Sequence, residues 1–102
     1  MGSYNKLVRD NIPEIIKARG ENPITAVLDD ETYKAELDKK LLEEVNEYLS
    51  DDNPEEIADV LEVIMAILEY KKISFEEIEK IRLEKKARRG SFTKKLFLKG
   101  VE

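Results

Sequence analysis

Two stretches of helical periodicity meet across one short break, and that pairing fixes most of what this chain can become. From about Glu31, Leu37, Leu41, Val45 and Tyr48 recur at i, i+4, i+8 and i+11, with Leu42 and Leu49 widening the stripe. The run Ser50-Asp51-Asp52-Asn53-Pro54 interrupts the pattern. Asn53 suits a helix N-cap and Pro54 the first helical position, which predicts a second helix from there to about Tyr70. Its apolar side takes in Ile57, Val60, Leu61, Val63, Ile64, Met65, Ile67 and Leu68. A helix apolar over nearly half its circumference packs against more than one neighbour. The expected architecture is an all-α helical hairpin that associates into a homo-oligomer, at least a dimer.

The flanking segments are shorter. Pro13 fits the first turn of a helix running to Arg19 and stopped by Gly20. Residues 21–29, with Pro23 and the run Ile24 to Leu28, read as an extended connector or short strand. Ser74 and Glu77 have capping-box spacing and open a last helix to about Arg89, closed by Gly90. The tail from Ser91 to Val101, with Phe92, Leu96 and Leu98, reads as a strand or a partner-docking arm. No repeat or linker divides the chain, so residues 1–102 are expected to form a single domain.

Counting removes several chemistries. The chain has no Cys and no His, which excludes thiolate and imidazole metal sites, cysteine nucleophiles and the Ser-His-Asp triad. No apolar run approaches the roughly 18 residues of a membrane span. Charged residues recur from Lys6 onward, unlike a secretory signal. A cytoplasmic protein with no membrane partner is expected, working through carboxylates, amines, hydroxyls or a hard metal ion. The net charge of −5 argues against a dedicated DNA-coating protein. That figure hides a split: residues 80–102 hold nine Lys/Arg and two Asp/Glu, a local +7, which leaves −12 on residues 1–79.

The acidic part carries the most informative spacing. Glu44 and Glu47 lie three apart on the first hairpin helix, as do Glu56 and Asp59 on the second. Residues at i and i+3 share a helix face. In an antiparallel hairpin Glu44 opposes Asp59 and Glu47 opposes Glu56, both pairs being centred between Asp51 and Asp52 where the chain turns. On a helical wheel Glu56 points into the apolar arc and Asp59 to its edge, while Glu44 borders the first helix's stripe. Four carboxylates crowded at a helix interface cannot all stay ionised unless a cation joins them. Mg²⁺ takes oxygen ligands and pairs with substrate phosphates. A structural reading stands beside this one, since the spacing is common in an acidic chain and Glu56 also occupies the N3 position opposite the Asn53 cap. An EF-hand reading of Asp51, Asn53, Glu55 and Glu62 fails at Glu56, where that loop needs Gly.

The basic end has three readings. Lys85, Lys86, Arg88 and Arg89 before Gly90-Ser91-Phe92 can be a solvated helix terminus, which favours cations. They can also hold a polyphosphate. RNA binding is weaker, because Phe92 beside the basic run offers little stacking surface. In the N-terminal Asn5-Lys6-Leu7-Val8-Arg9-Asp10, Leu7 and Val8 can anchor to the core, and Lys6 and Arg9 are either solvated or complementary to the acidic hairpin.

Glu43-Glu44-Val45-Asn46-Glu47 followed by Glu56-Ile57-Ala58-Asp59 resembles the EExxE…ExxD signature of the all-α nucleoside triphosphate pyrophosphohydrolases. That superfamily includes MazG, the dimeric dUTPases and phosphoribosyl-ATP pyrophosphohydrolase. Lys6-Leu7-Val8-Arg9-Asp10-Asn11-Ile12-Pro13 and Arg89-Gly90-Ser91-Phe92 look like a small MazG-like, phosphoribosyl-ATP-pyrophosphohydrolase-like branch, so the likeness touches both ends and the middle. Two features depart from it: only eight residues separate Glu47 from Glu56, and the Tyr-His common after the second motif in phosphoribosyl-ATP enzymes is absent.

The resemblance implies a MazG-like helical bundle, a homodimer or homotetramer, and hydrolysis of a nucleoside triphosphate to the monophosphate and pyrophosphate, a house-cleaning activity on nucleotide pools. It implies Mg²⁺, with Mn²⁺ as a substitute, on Glu44, Glu47, Glu56 and Asp59. Glu43 matches the first acid of the motif, and Glu43 or Glu47 would orient the attacking water. Lys85, Lys86 and Arg89, together with Arg9, would then hold the polyphosphate of the nucleotide substrate, with no nucleic acid expected. The alternatives from other classes are a non-catalytic helical module that binds nucleotide or a partner, and a structural bundle with an RNA-binding tail.

Overall fold

The computed structural model describes residues 5–102. Its four helices are α1 (Ile12–Ala18), α2 (Asp30–Asp51), α3 (Pro54–Lys71) and α4 (Phe75–Arg89), with no strand among the described residues. The all-α expectation holds. The strand alternatives for residues 21–29 and for the tail do not, because neither segment finds another extended segment to share its backbone hydrogen bonds.

Each long helix starts where a side chain caps it. Asp29 accepts the Thr32 N–H at 2.8 Å and opens α2. Asn53 accepts the Glu56 N–H at 3.0 Å and opens α3, with Pro54 in its first turn. Ser74 accepts the Glu77 N–H at 3.1 Å and opens α4. The bonds satisfy orphan amide donors that a helix start leaves exposed. At the other ends, Gly20 (φ +83°) follows α1 and Gly90 (φ +81°) closes α4 in a conformation that L side chains rarely adopt. The hairpin break is tighter than Ser50–Pro54. α2 continues through Asp51, Asp52 turns left-handed at φ 48°, and Asn53 already caps α3. Replacing Asn53 with Ala should cost about 1 kcal/mol, roughly 4–8 °C in melting temperature by circular dichroism. An unchanged melting point would mean the cap is redundant.

The two-residue connection forces α2 and α3 to run antiparallel and to pack along one another, the one extensive helix pair among the described residues. Tyr33 and Tyr70 meet edge to face with centroids 5.8 Å apart, and they too are equidistant from the Asp51–Asp52 midpoint. The register expected from the carboxylates thus persists to the far end of the hairpin. Leu37, Val63 and Leu68 are its buried apolar residues, with Leu37 only 2% exposed.

The hairpin is not wrapped by the rest of the chain. α1 and α4 contribute no buried residue. The radius of gyration is 18.2 Å, against about 13 Å for a compact domain of this length. The long axis is 62 Å, whereas α2 spans only about 33 Å at 1.5 Å per residue, so the outer segments project beyond the hairpin. Part of the broad apolar arc of α3 is consequently uncovered: Ile57, Leu61 and Met65 are exposed, as are Leu42 and Leu49 on α2.

Candidate metal centre

The hairpin register brings five carboxylates together. Glu43, Glu44 and Glu47 of α2 can each offer an oxygen within 4.8 Å of the others. Glu44, Glu56 and Asp59 form a second such group across the helix pair, so Glu44 is common to both. The four acids singled out by spacing fall into these two groups, joined at Glu44, and Glu43 belongs to the α2 group.

Glu44 is the one buried charged residue among those described, 6% exposed. Lys40, one turn earlier on α2, reaches it at 3.2 Å and Glu43 at 3.5 Å. The N-terminal segment supplies two more cations: Lys6 lies 3.2 Å from Glu43, and Arg9 lies 2.7 Å from Asp59. Of the two readings open for Lys6 and Arg9, complementing the acidic hairpin is the one realised. Three cations still face five carboxylates, and the deficit is local. Glu44 Oε2 and Glu56 Oε2 are both buried without a hydrogen-bond partner. A buried acceptor left unsatisfied is costly and rare.

The ionisation of these groups follows their partners. Burial raises the Glu44 carboxyl, and neighbouring Glu47 adds to that rise while Lys40 opposes it. Loss of water likewise raises Glu56, with Asp51 and Asp59 pushing the same way. Desolvation works against Glu43 as well, yet Lys6 and Lys40 together outweigh it and hold that carboxyl below its ordinary value. The inner carboxylates are therefore short of positive charge, whereas the outer one is supplied. Oxygen-only donors with surplus negative charge and two orphaned inner oxygens fit a hard divalent cation such as Mg²⁺ or Mn²⁺.

The basic end of α4 is placed elsewhere. Lys85, Lys86 and Arg89 are exposed, and no hydrogen bond or ion pair among the described residues carries them to the carboxylates. The two charged parts of the sequence do not meet among the described residues, because α4 packs on neither hairpin helix over any length. The expectation that these residues hold the polyphosphate gains no geometric support, and only Arg9 of that set stands at the cluster. Lys40 was the site residue missed from sequence. Its signal was present, since it sits four residues before Glu44 and an i, i+4 pair shares a helix face.

Beside Arg9 lies an open cavity of about 390 Å³, lined by Arg9, Asp10, Asn11, Ile12, Ile15 and Glu62. A second, mostly apolar groove of about 650 Å³ runs along α4 between Phe75 and Ala87, away from the carboxylates. No described helix is long and apolar enough to cross a membrane.

A protein of Mycolicibacterium smegmatis, described as uncharacterized, is 55% identical over 42 residues, which is 41% of this chain. The match covers 43% of that relative's length. No family model matches the chain, and no solved structure does.

Proposed function

We propose that the chain is a Mg²⁺-dependent nucleotide pyrophosphohydrolase that cleaves a nucleoside triphosphate to the monophosphate and pyrophosphate. The observation that carries this reading is the pair of buried, partnerless oxygens on Glu44 and Glu56, two carboxylates of opposite hairpin helices that fall in one acidic group with Asp59. The resemblance of the EExxE…ExxD and flanking motifs supports the choice of reaction.

Glu44, Glu47, Glu56 and Asp59 would hold the cation, which supplies charge neutralisation for a polyphosphate and lowers the pKa of water bound beside it. Glu43 or Glu47 would orient a water for attack at phosphorus, and the Lys6 and Lys40 contacts favour the ionised form of Glu43 that such a role needs. Arg9 supplies a guanidinium at the rim, suited to bidentate contact with phosphate oxygens. The exposed Leu42, Leu49, Ile57, Leu61 and Met65 would be covered in a homodimer or homotetramer, which light scattering on the purified protein tests.

The test is pyrophosphate release from a panel of ribo- and deoxyribonucleoside triphosphates with Mg²⁺ or Mn²⁺. No release from any of them, by a folded protein, removes the reading. Mg²⁺ alone should also stabilise the fold. At a hundredfold excess over its dissociation constant it adds about 2.7 kcal/mol, which raises the melting temperature by about 10–20 °C.

A non-catalytic module that binds nucleotide or a partner is the second reading. The Lys40–Glu44 and Arg9–Asp59 ion pairs favour it, because they neutralise part of the cluster without any metal. It predicts no thermal shift with Mg²⁺ and no pyrophosphate release.

A further inference from the structure

We infer that the cavity between the start of α1 and α3 is a nucleoside subsite that selects ribonucleotides over deoxyribonucleotides. The inference rests on the pyrophosphohydrolase reading. Release of pyrophosphate breaks the bond between the α and β phosphates, one phosphate away from the nucleoside. A nucleoside subsite must therefore lie within about one phosphate of the carboxylate cluster. The Arg9-lined cavity meets that requirement. Arg9 is part of its wall and at the same time sits 2.7 Å from Asp59. Glu62, also in the lining, is three residues beyond Asp59 on α3, a rise of about 4.5 Å.

The lining matches the two ends of a nucleoside. Ile12 and Ile15 offer an apolar wall for the face of a base, and both are accessible from the cavity. Asp10 and Glu62 offer carboxylate acceptors, the chemistry that takes hydroxyl donors from a ribose. Neither carboxylate tolerates a phosphate beside it, so the triphosphate is directed toward Arg9 and the metal-binding cluster. A volume of about 390 Å³ lies within the range of small-molecule sites. The larger α4 groove has no cation-binding carboxylate cluster and no link to Asp59, which makes it a poor host for the same ligand.

The experiment compares kcat/KM for matched ribo and deoxy triphosphates of the four bases, with Mg²⁺, in wild type and in the double variant Asp10→Asn, Glu62→Gln. Calorimetry of nucleoside monophosphate binding runs in parallel, with Ile15→Glu as the subsite variant and Leu83→Glu in the α4 groove as control. The expected result is at least a tenfold ribo preference for the best base, reduced to within twofold in the double variant, mainly through KM. Ile15→Glu should weaken monophosphate binding at least tenfold and Leu83→Glu should leave it unchanged. Hydrolysis with equal use of ribo and deoxy forms, or a preference the double variant keeps, overturns the subsite and leaves the reaction standing. Should no triphosphate be hydrolysed, the reaction reading falls and the calorimetry decides the subsite: tenfold weakening by Ile15→Glu upholds it, while absent or unaffected binding overturns it.

Discussion

Glu56→Gln should lower Mg²⁺-dependent pyrophosphate release by on the order of 10²–10³-fold or more, because it removes one of the two carboxylates that keep a buried oxygen without a partner. The same substitution should leave the metal-free protein melting no lower than wild type. Burial, with Asp51 and Asp59 adding to it, raises the folded-state pKa of Glu56 above its ordinary value. The folded protein then holds that proton more tightly than the unfolded chain, so stability falls as pH rises through the window between the two values. Above that window Glu56 is ionised at a cost to the fold, and a neutral amide of the same shape relieves it. With Mg²⁺ the order should reverse, wild type melting higher than the variant. A variant that melts well below wild type without metal would assign Glu56 to capping and packing instead. Activity above about a tenth of wild type would remove it from the cation site.

Leu37→Ala should unfold the hairpin or bring it close to unfolding. Leu37 is the most deeply buried apolar side chain in a core that otherwise comprises Val63 and Leu68. Truncating a buried Leu costs about 2–5 kcal/mol, while a whole domain is stable by only about 5–15 kcal/mol. The melting temperature should therefore fall by at least about 10 °C. Leu42→Ala is the matched control, a leucine five residues on that is 63% exposed. In a monomer it should change stability by no more than about 0.5 kcal/mol. A large loss for Leu42→Ala that depends on protein concentration would show that this face is covered in an oligomer. Equal, small effects for both leucines would contradict the assignment of the core.

The hairpin was legible in the sequence because its signals are local. Asn53 and Pro54 specify a helix start through their own side chains, and the apolar period of residues 37–48 specifies the face that must be buried. With a turn at Asp51–Asp52, antiparallel geometry leaves one register, and that register predicts which carboxylates oppose one another. The Tyr33–Tyr70 contact obeys the same register although nothing about those residues singled them out. Asp29 as the cap of α2 was less visible, since several acids crowd that start and any of them can accept an amide hydrogen.

What a local pattern cannot give is which distant segment reaches the cluster. Lys6 and Arg9 lie 37 and 50 residues from the acids they contact, whereas the more numerous cations of residues 85–89 contact none of them. Composition favoured the basic tail, because it holds most of the local positive charge. The path of the chain brought the N-terminal segment instead, and charge acts over only about 10 Å in salt.

By itself the sequence determined four helices, a break within Ser50–Pro54 and the alignment of Glu44, Glu47, Glu56 and Asp59, all consequences of capping, helical period and the antiparallel register. Tertiary structure alone decided that Glu44 is buried, that it and Glu56 each keep an oxygen without a partner, and that Lys6 and Arg9 stand at the site while the basic tail does not. Burial and pairing depend on what the rest of the chain leaves uncovered, and no residue carries that information in its own neighbourhood.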